Sequence, residues 1–226
     1  VNLVKNKKII SFIAYTSLVI GLLIILIISV STSINIFILV AACCFLGYLY
    51  QGPPFRLGYQ GLGEPLCWLA FGPFAYSAVL IALNPSNIYF EDIPWKVSLL
   101  LGSGPSLATT LVLFCSHFHQ ISEDKKHGKN SPLVRLGAKK GSQFVPWIIF
   151  TIYIFQLFTI VYGFIPVFCI LYLLSFPQAI RLINLLKSSY AKPSAIKNCK
   201  FVAIKFQTLN GIGLITGLIF NYLLNK

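Results

Sequence analysis

The sequence predicts an all-α, polytopic membrane protein of seven spans, and three observations carry that prediction. Hydrophobic residues make up 57% of the 226 residues and charged residues only 10%, against roughly 25% charged in an average soluble domain. Charge-free runs cover residues 9–55, 65–90, 97–122, 141–180 and 206–225. Each is long enough for at least one span of about 20 residues, and some for two. The basic residues, finally, gather in the segments between these runs. The net charge of +13 therefore suits anionic lipid and the positive-inside bias, and gives no reason to expect a nucleic-acid partner.

Taken in order, residues 1–8 form a basic entry and residues 9–29 the first span. A polar turn at 29–35 leads into the second span, 36–50. The loop 51–63 is rich in glycine and proline. Glu64 and Pro65 then read as a helix start, with an acid near the positive end of the helix dipole and proline in the first turn. The third span is 66–83, the loop 84–96 carries Glu91 and Asp92, and the fourth span runs to Ser116. Residues 141–180 hold forty residues without a charge, too many for one crossing at ~1.5 Å per residue. Gly163 and Pro166 divide them into spans at 144–162 and 164–187. A basic loop, 188–205, precedes the last span at 206–224.

Seven spans can be tested by counting charges. Of eighteen basic residues, only Lys96 and Lys226 fall on one side, which leaves sixteen on the other. That side is expected to face cytoplasm or stroma. The first apolar run leads directly into further spans and does not read as a cleaved signal. The chain starts at Val1 and has no methionine, so the expectation is one domain over residues 1–226, incomplete at its N-terminus. Abundant Ile, Phe, Lys and Asn point to an AT-rich genome such as a plastid's. Of the six cysteines, Cys43, Cys44, Cys67, Cys115 and Cys169 lie in or beside apolar runs, and no C-x-x-C spacing occurs. They read as small hydrophobes, not as disulfides or zinc ligands.

The polar stretch 117–137 organises the rest. It holds all three histidines and two of the five acids. Helical rotation of about 100° per residue would place His117, Gln120, Glu123, Asp124 and His127 along one side. Lys125, Lys126 and Lys129 would cluster on the other. Carboxylates and lysines this close can hold a divalent cation and an anion together. The loop from Tyr50 to Glu64 shares that membrane face, so Tyr50, Arg56, Tyr59 and Glu64 can join the site. The two tyrosines also suit an interfacial aromatic belt, and Glu64 a simple helix start.

Together the two loops resemble the UbiA superfamily of intramembrane prenyltransferases. The resemblance rests on Tyr50, Gly52, Pro53, Leu57, Tyr59, Gly61, Leu62, Gly63 and Glu64, and on His117, Gln120, Glu123, Asp124, Gly128, Lys129, Ser131, Pro132, Arg135, Leu136 and Gly137. The nearest pattern is that of the 1,4-dihydroxy-2-naphthoate prenyltransferases of cyanobacteria and plastids. The resemblance implies a bundle of nine helices, of which these spans would be the third to ninth. The family's first acidic motif would then lie upstream of Val1, and the chain would be inactive without it. Asp124 and Glu123 are implied as direct or water-mediated Mg²⁺ ligands. Gln120 stands where many members have an acid, and His117 where many have Asn. Lys129, Arg135, Arg56 and Lys125 are implied for diphosphate binding, with Pro54 replacing a family lysine. Tyr50, Tyr59 and His117 are implied for substrate contact.

The reaction implied is ionisation of an allylic diphosphate, phytyl diphosphate in this branch, and capture of the cation by 1,4-dihydroxy-2-naphthoate with loss of its carboxylate. The setting implied is a plastid thylakoid membrane or its cyanobacterial counterpart, with the site on the stromal or cytoplasmic side. Homogentisate, 4-hydroxybenzoate or a chlorophyllide are alternative acceptors. A histidine metal site is a weaker reading, since His117 and His119 are two apart and do not share a helix face. A small transporter would be expected to carry charges inside its spans, and these spans are nearly free of them.

Overall fold

A computed structural model describes residues 7–84 and 89–226, all helix, turn and loop with no strand among the described residues. The basic entry of residues 1–6 and residues 85–88 of the third loop lie outside the described residues. Seven helices are long and apolar enough to cross a membrane: Lys8–Ser31, Ile34–Gln51, Gly63–Leu83, Trp95–His117, Pro132–Val161, Val167–Ser189 and Cys199–Leu224. They are numbered here as the first to seventh spans. The protein is a multi-pass membrane protein.

The first two spans meet at a tight turn, where the Ser33 side chain accepts a hydrogen bond from the Asn35 amide and caps the second helix. The third is broken at Ala70–Phe74, a wide turn with non-helical geometry at Gly72 followed by Pro73. The bend coincides with a close approach to the fourth span. A Cβ on Gly72 would lie 2.6 Å from Ser106 Oγ, and one on Gly102 would lie 2.9 Å from the Gly72 backbone.

Two spans begin earlier than hydropathy indicates. The fifth starts at Pro132, with Ser131 before it, and bends at Gly137. The seventh starts at Cys199. Hydropathy marks the stretch that lipid surrounds, whereas the helix continues through residues at the membrane face. In the fifth span Lys139 and Lys140 point outward while Leu133 and Gly141 are buried. In the seventh, Val202, Ala203 and Phe206 are buried before the charge-free run is well under way. The sixth span opens as a tight 3₁₀ segment, Val167–Ser175, and continues as an α-helix, Phe176–Ser189.

The main apolar core joins the fourth to seventh spans around Leu111, Ile152, Leu182 and Phe206, all fully buried. A smaller core joins the second and third spans around Ile36, Leu39 and Ile81. The first span exposes most of its side chains, as expected of a helix facing lipid. One cavity of about 970 Å³ lies among the first four spans and touches the seventh at Gln207. Its lining is almost wholly aliphatic, from Tyr50, Leu66 and Ser116 at one end to Ile28, Ile36 and Ala82 at the other.

The loops following the second and fourth spans meet at one end of the bundle, where the start of the seventh span lies against the end of the fourth. Asn130 N donates to Tyr59 O at 2.7 Å, and Cys199 Sγ donates to Cys115 O at 3.0 Å. This is the end on which charge counting places the sixteen basic residues.

Candidate functional site

The fourth span ends at His117, and the chain turns once before a short helix, Ile121–Lys126. Neighbouring positions on that helix differ by about 100°, so its two acids part company. Asp124 is buried beside Ile121, which packs on the main core. Glu123 is exposed and pairs with Lys126 at 3.2 Å. The structure thus does not bring Glu123 and Asp124 together as the pair the sequence suggested.

Lys129 differs from expectation in the opposite sense. The chain turns back at Gly128, and Lys129 N bonds to Asp124 O at 2.8 Å. Its ammonium then lies 3.4 Å from Asp124 Oδ2 and 3.5 Å from His117 Nδ1. Expected on the far side of a helix, Lys129 stands at the centre of the cluster. His117 completes it, with Nδ1 3.2 Å from Asp124 Oδ2. The ring is 3% exposed, so its orientation is held by these neighbours.

Glu64 is the member that the sequence placed on the shared membrane face without a specific role. It sits in the first turn of the third span, its side chain 13% exposed, with Oε1 3.8 Å from His117 Nε2. Neither carboxylate oxygen meets a hydrogen-bond donor on another residue among those described. A carboxylate this sheltered and this unpaired is costly. The one signal for it was an acid between Gly63 and Pro65 on the same membrane face as the histidines. Read as a helix start, it needed no further role.

Tyr50 seats its ring against Gly58 and Gly63, where any side chain would collide with it, and it lines the mouth of the cavity. The other predicted residues serve the frame around this cluster. Tyr59 accepts the Asn130 amide through its carbonyl, and its ring lies under the Arg56 guanidinium at 5.8 Å. Arg135 Nη2 donates to the Gln60 carbonyl. Arg135 and Tyr59 thereby join the two loops. Arg56 and Lys125 are exposed, and Gln120 occupies the half-buried cap position of the short helix without a side-chain cap bond. His127 is exposed and bonded to the Glu123 carbonyl. His119 is held below the usual imidazole pKa by partial burial and then by Lys200 and Lys197. The three histidines therefore do not form a common site.

Two carboxylates against one lysine leave the cluster short of positive charge, with both Glu64 oxygens free to accept. Among the described residues no three His, Cys, Asp or Glu side chains enclose a metal by themselves. A hard dication held by one or two carboxylates and completed by phosphate oxygens and water needs no such cage. The donor set therefore fits Mg²⁺ carried in with a polyphosphate. Ser116 and Tyr50 connect the cluster to the cavity. The arrangement can hold a cation and an anionic head at the membrane face, with an apolar tail below.

Such a site lies at the end of a seven-span helical bundle, next to Tyr50 and Ser116 of an apolar cavity, and the fold is that of an intramembrane helical protein. The chain belongs to the UbiA prenyltransferase family, which it matches over residues 3–204. It is 37% identical over 179 residues to a 2-carboxy-1,4-naphthoquinone phytyltransferase of Synechocystis, covering 79% of this chain and 56% of that protein. It is also 37% identical over 222 residues to the chloroplastic 2-carboxy-1,4-naphthoquinone phytyltransferase of Arabidopsis thaliana, covering 97% of this chain and 58% of the relative. The chain thus spans somewhat over half the length of the curated relatives it matches. No solved structure matches it.

Proposed function

We propose that the protein transfers a phytyl group from its diphosphate to 1,4-dihydroxy-2-naphthoate, the reduced form of 2-carboxy-1,4-naphthoquinone, as a step of phylloquinone formation. The observation that carries this reading is the unpaired Glu64 carboxylate beside Asp124, His117 and Lys129, at the mouth of a cavity large enough for an isoprenoid tail. Asp124 and Glu64 would hold Mg²⁺. When bound, the ion supplies positive charge to the departing diphosphate.

The chain's own residues do the rest. Lys129 donates to phosphate oxygens, and its charge favours the diphosphate as the allylic carbon–oxygen bond breaks and the electron pair leaves with oxygen. His117 keeps the Asp124 carboxylate in place. Arg56 and Lys125, exposed at the same end, attract the polyanion from a distance. Arg135 and Tyr59 keep the two loops together so that Glu64 and Asp124 stay within reach of one ligand. The apolar lining takes the tail and keeps water from the allylic cation. A ring carbon of the acceptor then supplies the electron pair for the new carbon–carbon bond, and the carboxylate departs as CO₂. Close resemblance to a cyanobacterial and a chloroplastic relative supports a plastid thylakoid or cyanobacterial membrane, with the charged end on the stromal or cytoplasmic side.

The test uses membranes carrying the full-length protein, incubated with Mg²⁺, phytyl diphosphate and 1,4-dihydroxy-2-naphthoate beside an Asp124→Ala variant. Product lacking the carboxylate and carrying the phytyl chain is expected from the parent alone. Equal product from both, or none with any aromatic acceptor, overturns the reading.

A further inference from the structure

Below its mouth the cavity is lined by aliphatic side chains and very few polar ones: Thr109, Ser116 and Gln207 stand apart from the rest. Their hydrogen bonds separate them further. Ser116 Oγ donates its proton to Leu113 O at 2.6 Å. Thr109 Oγ1 donates to Pro105 O at 3.2 Å and accepts from Gln207 Nε2 at 2.7 Å. Both hydroxyl protons are therefore spent. The Gln207 amide is anchored through one N–H, and its carbonyl oxygen meets no donor among the described residues.

The contrast with a second intramembrane amide is direct. Gln156 pairs with Asn210 in both directions, at 2.6 and 3.0 Å, as burial away from water demands. Gln207 lines the cavity with an equally polar side chain, and its only hydrogen bond among the described residues is the one its nitrogen gives Thr109. A side chain fixed at its nitrogen and open at its oxygen is arranged for a ligand that brings a hydroxyl or N–H.

Depth identifies which part of the substrates that ligand is. Thr109 and His117 lie on one helix, so the Thr109–Gln207 pair sits ~12 Å below the charged cluster at ~1.5 Å per residue. The terpenoid tail has no polar group at that depth. The aromatic acceptor does: with its reacting carbon within ~3–3.5 Å of the allylic carbon, the hydroxyls of the reacting ring flank that carbon and lie beyond the diphosphate, on the cavity side. We propose that Gln207, held by Thr109, recognises the aromatic acceptor by taking a ring hydroxyl on its side-chain carbonyl. This rests on the reading of the protein as an aromatic prenyltransferase.

The experiment compares 1,4-dihydroxy-2-naphthoate with its mono-O-methyl ethers, at saturating phytyl diphosphate, in the parent and in Gln207→Leu. The parent is expected to favour the free hydroxyl by ~10-fold in kcat/KM for one of the two ethers, the size of one well-made hydrogen bond. Gln207→Leu is expected to lose that preference, with KM for phytyl diphosphate within ~2-fold of the parent. Should Gln207→Leu not fold, Thr109→Val decides instead, since it frees the amide and is expected to cut the preference by ~3-fold. Discrimination unchanged in the variants, or equal losses for donor and acceptor, overturns the role of Gln207 and leaves the prenyltransferase intact. A parent that turns over no aromatic acceptor overturns the prenyltransferase reading itself.

Discussion

The Glu64 carboxylate lies 3.8 Å from Nε2 of His117, too far for a hydrogen bond and near enough for one small cation or water to serve both. The other nitrogen of the same ring is 3.2 Å from Asp124. One imidazole thus stands between carboxylates contributed by two loops that are distant in the chain. The third span begins where the fourth ends, and the close packing at Gly72 and Gly102 fixes how they meet.

Asp124 and Glu123 are neighbours with opposite surroundings, and their substitutions should separate accordingly. Asp124→Asn removes the charge that faces His117 and Lys129 and is expected to lower kcat by ~100-fold or more. Glu123→Gln breaks only an exposed pair with Lys126, of a kind that contributes little, and should leave kcat within ~2-fold. Phytyl transfer measured for both variants checks this. A larger loss in Glu123→Gln would mean that the short helix rotates when substrate binds.

Glu64→Gln should part activity from stability. The carboxylate is sheltered and lacks donors on other residues, so a neutral amide there removes a charge that Lys129, shared with Asp124, offsets only in part. The melting temperature in detergent is expected to stay level or rise, while activity falls ~10-fold or more and the Mg²⁺ concentration for half-maximal rate increases. Functional sites often show this trade. A variant that melts lower and keeps its Mg²⁺ dependence would assign Glu64 to the fold.

What could be read from the sequence divides along physical lines. The seven spans were legible because a bilayer demands long uncharged helices, and the basic residues marked the shared end. Asp124 was legible from its motif. The starts of the fifth and seventh helices were not, since residues 132–140 and 199–205 are polar enough to pass for loop while remaining helical at the membrane face. Glu123 could not be told from Asp124, because adjacent acids differ only in where a short helix turns them. Lys129 was placed opposite by extending a helix that in fact ends at Lys126. Gln207 opened an apolar run, and nothing local distinguished it from a polar residue at a helix end.

The loop 52–62 should detach when its contact with the fifth span is disturbed. Gly61 has φ of 78°, and a Cβ there would lie 2.7 Å from Asn130 O, while Arg135 reaches over to Gln60. Gly61→Ala carries both a left-handed backbone and a collision, costing ~1–2 kcal/mol for the backbone alone. Arg135→Ala removes a charge-assisted bond instead. Trypsin should cut after the exposed Arg56 several-fold faster in either variant than in the parent, with Glu64-dependent Mg²⁺ affinity weakened in parallel. Cutting at the parent rate would show that the loop is held by other means.

His119 links stability to pH in a defined direction. Partial burial, then Lys200 and Lys197, hold its pKa below the ordinary imidazole value of 6.5. The folded state therefore binds this proton less readily than the unfolded chain does. The contribution is full above about 6.5 and is lost as pH falls through that value toward the lower folded pKa. Melting temperatures between about pH 7.5 and 5.5 should decline less steeply in His119→Gln. An identical decline would assign the slope to other groups.

The Gln156–Asn210 pair, whose residues are not among those that line the cavity, should behave as one unit. It joins the fifth and seventh spans, with Asn210 also 3.5 Å from Ser175 Oγ and Tyr153 bonded to that same hydroxyl at 2.8 Å. Asn210→Leu strands two Gln156 groups at 2% exposure, where each unmade bond costs ~1–3 kcal/mol. Gln156→Leu does the same to Asn210. The double variant strands neither, and buried amides exchanged together for apolar groups of similar size can be nearly neutral. Its loss of stability should therefore be smaller than the sum of the singles by ~0.6–2 kcal/mol, the range for polar pairs between membrane helices. Denaturation in mixed micelles would measure it, and strict additivity would mean that each amide has found another partner. Because this network does not touch the cavity, all three variants that fold should retain the parent's preference for the hydroxylated acceptor, which sets them apart from Gln207→Leu.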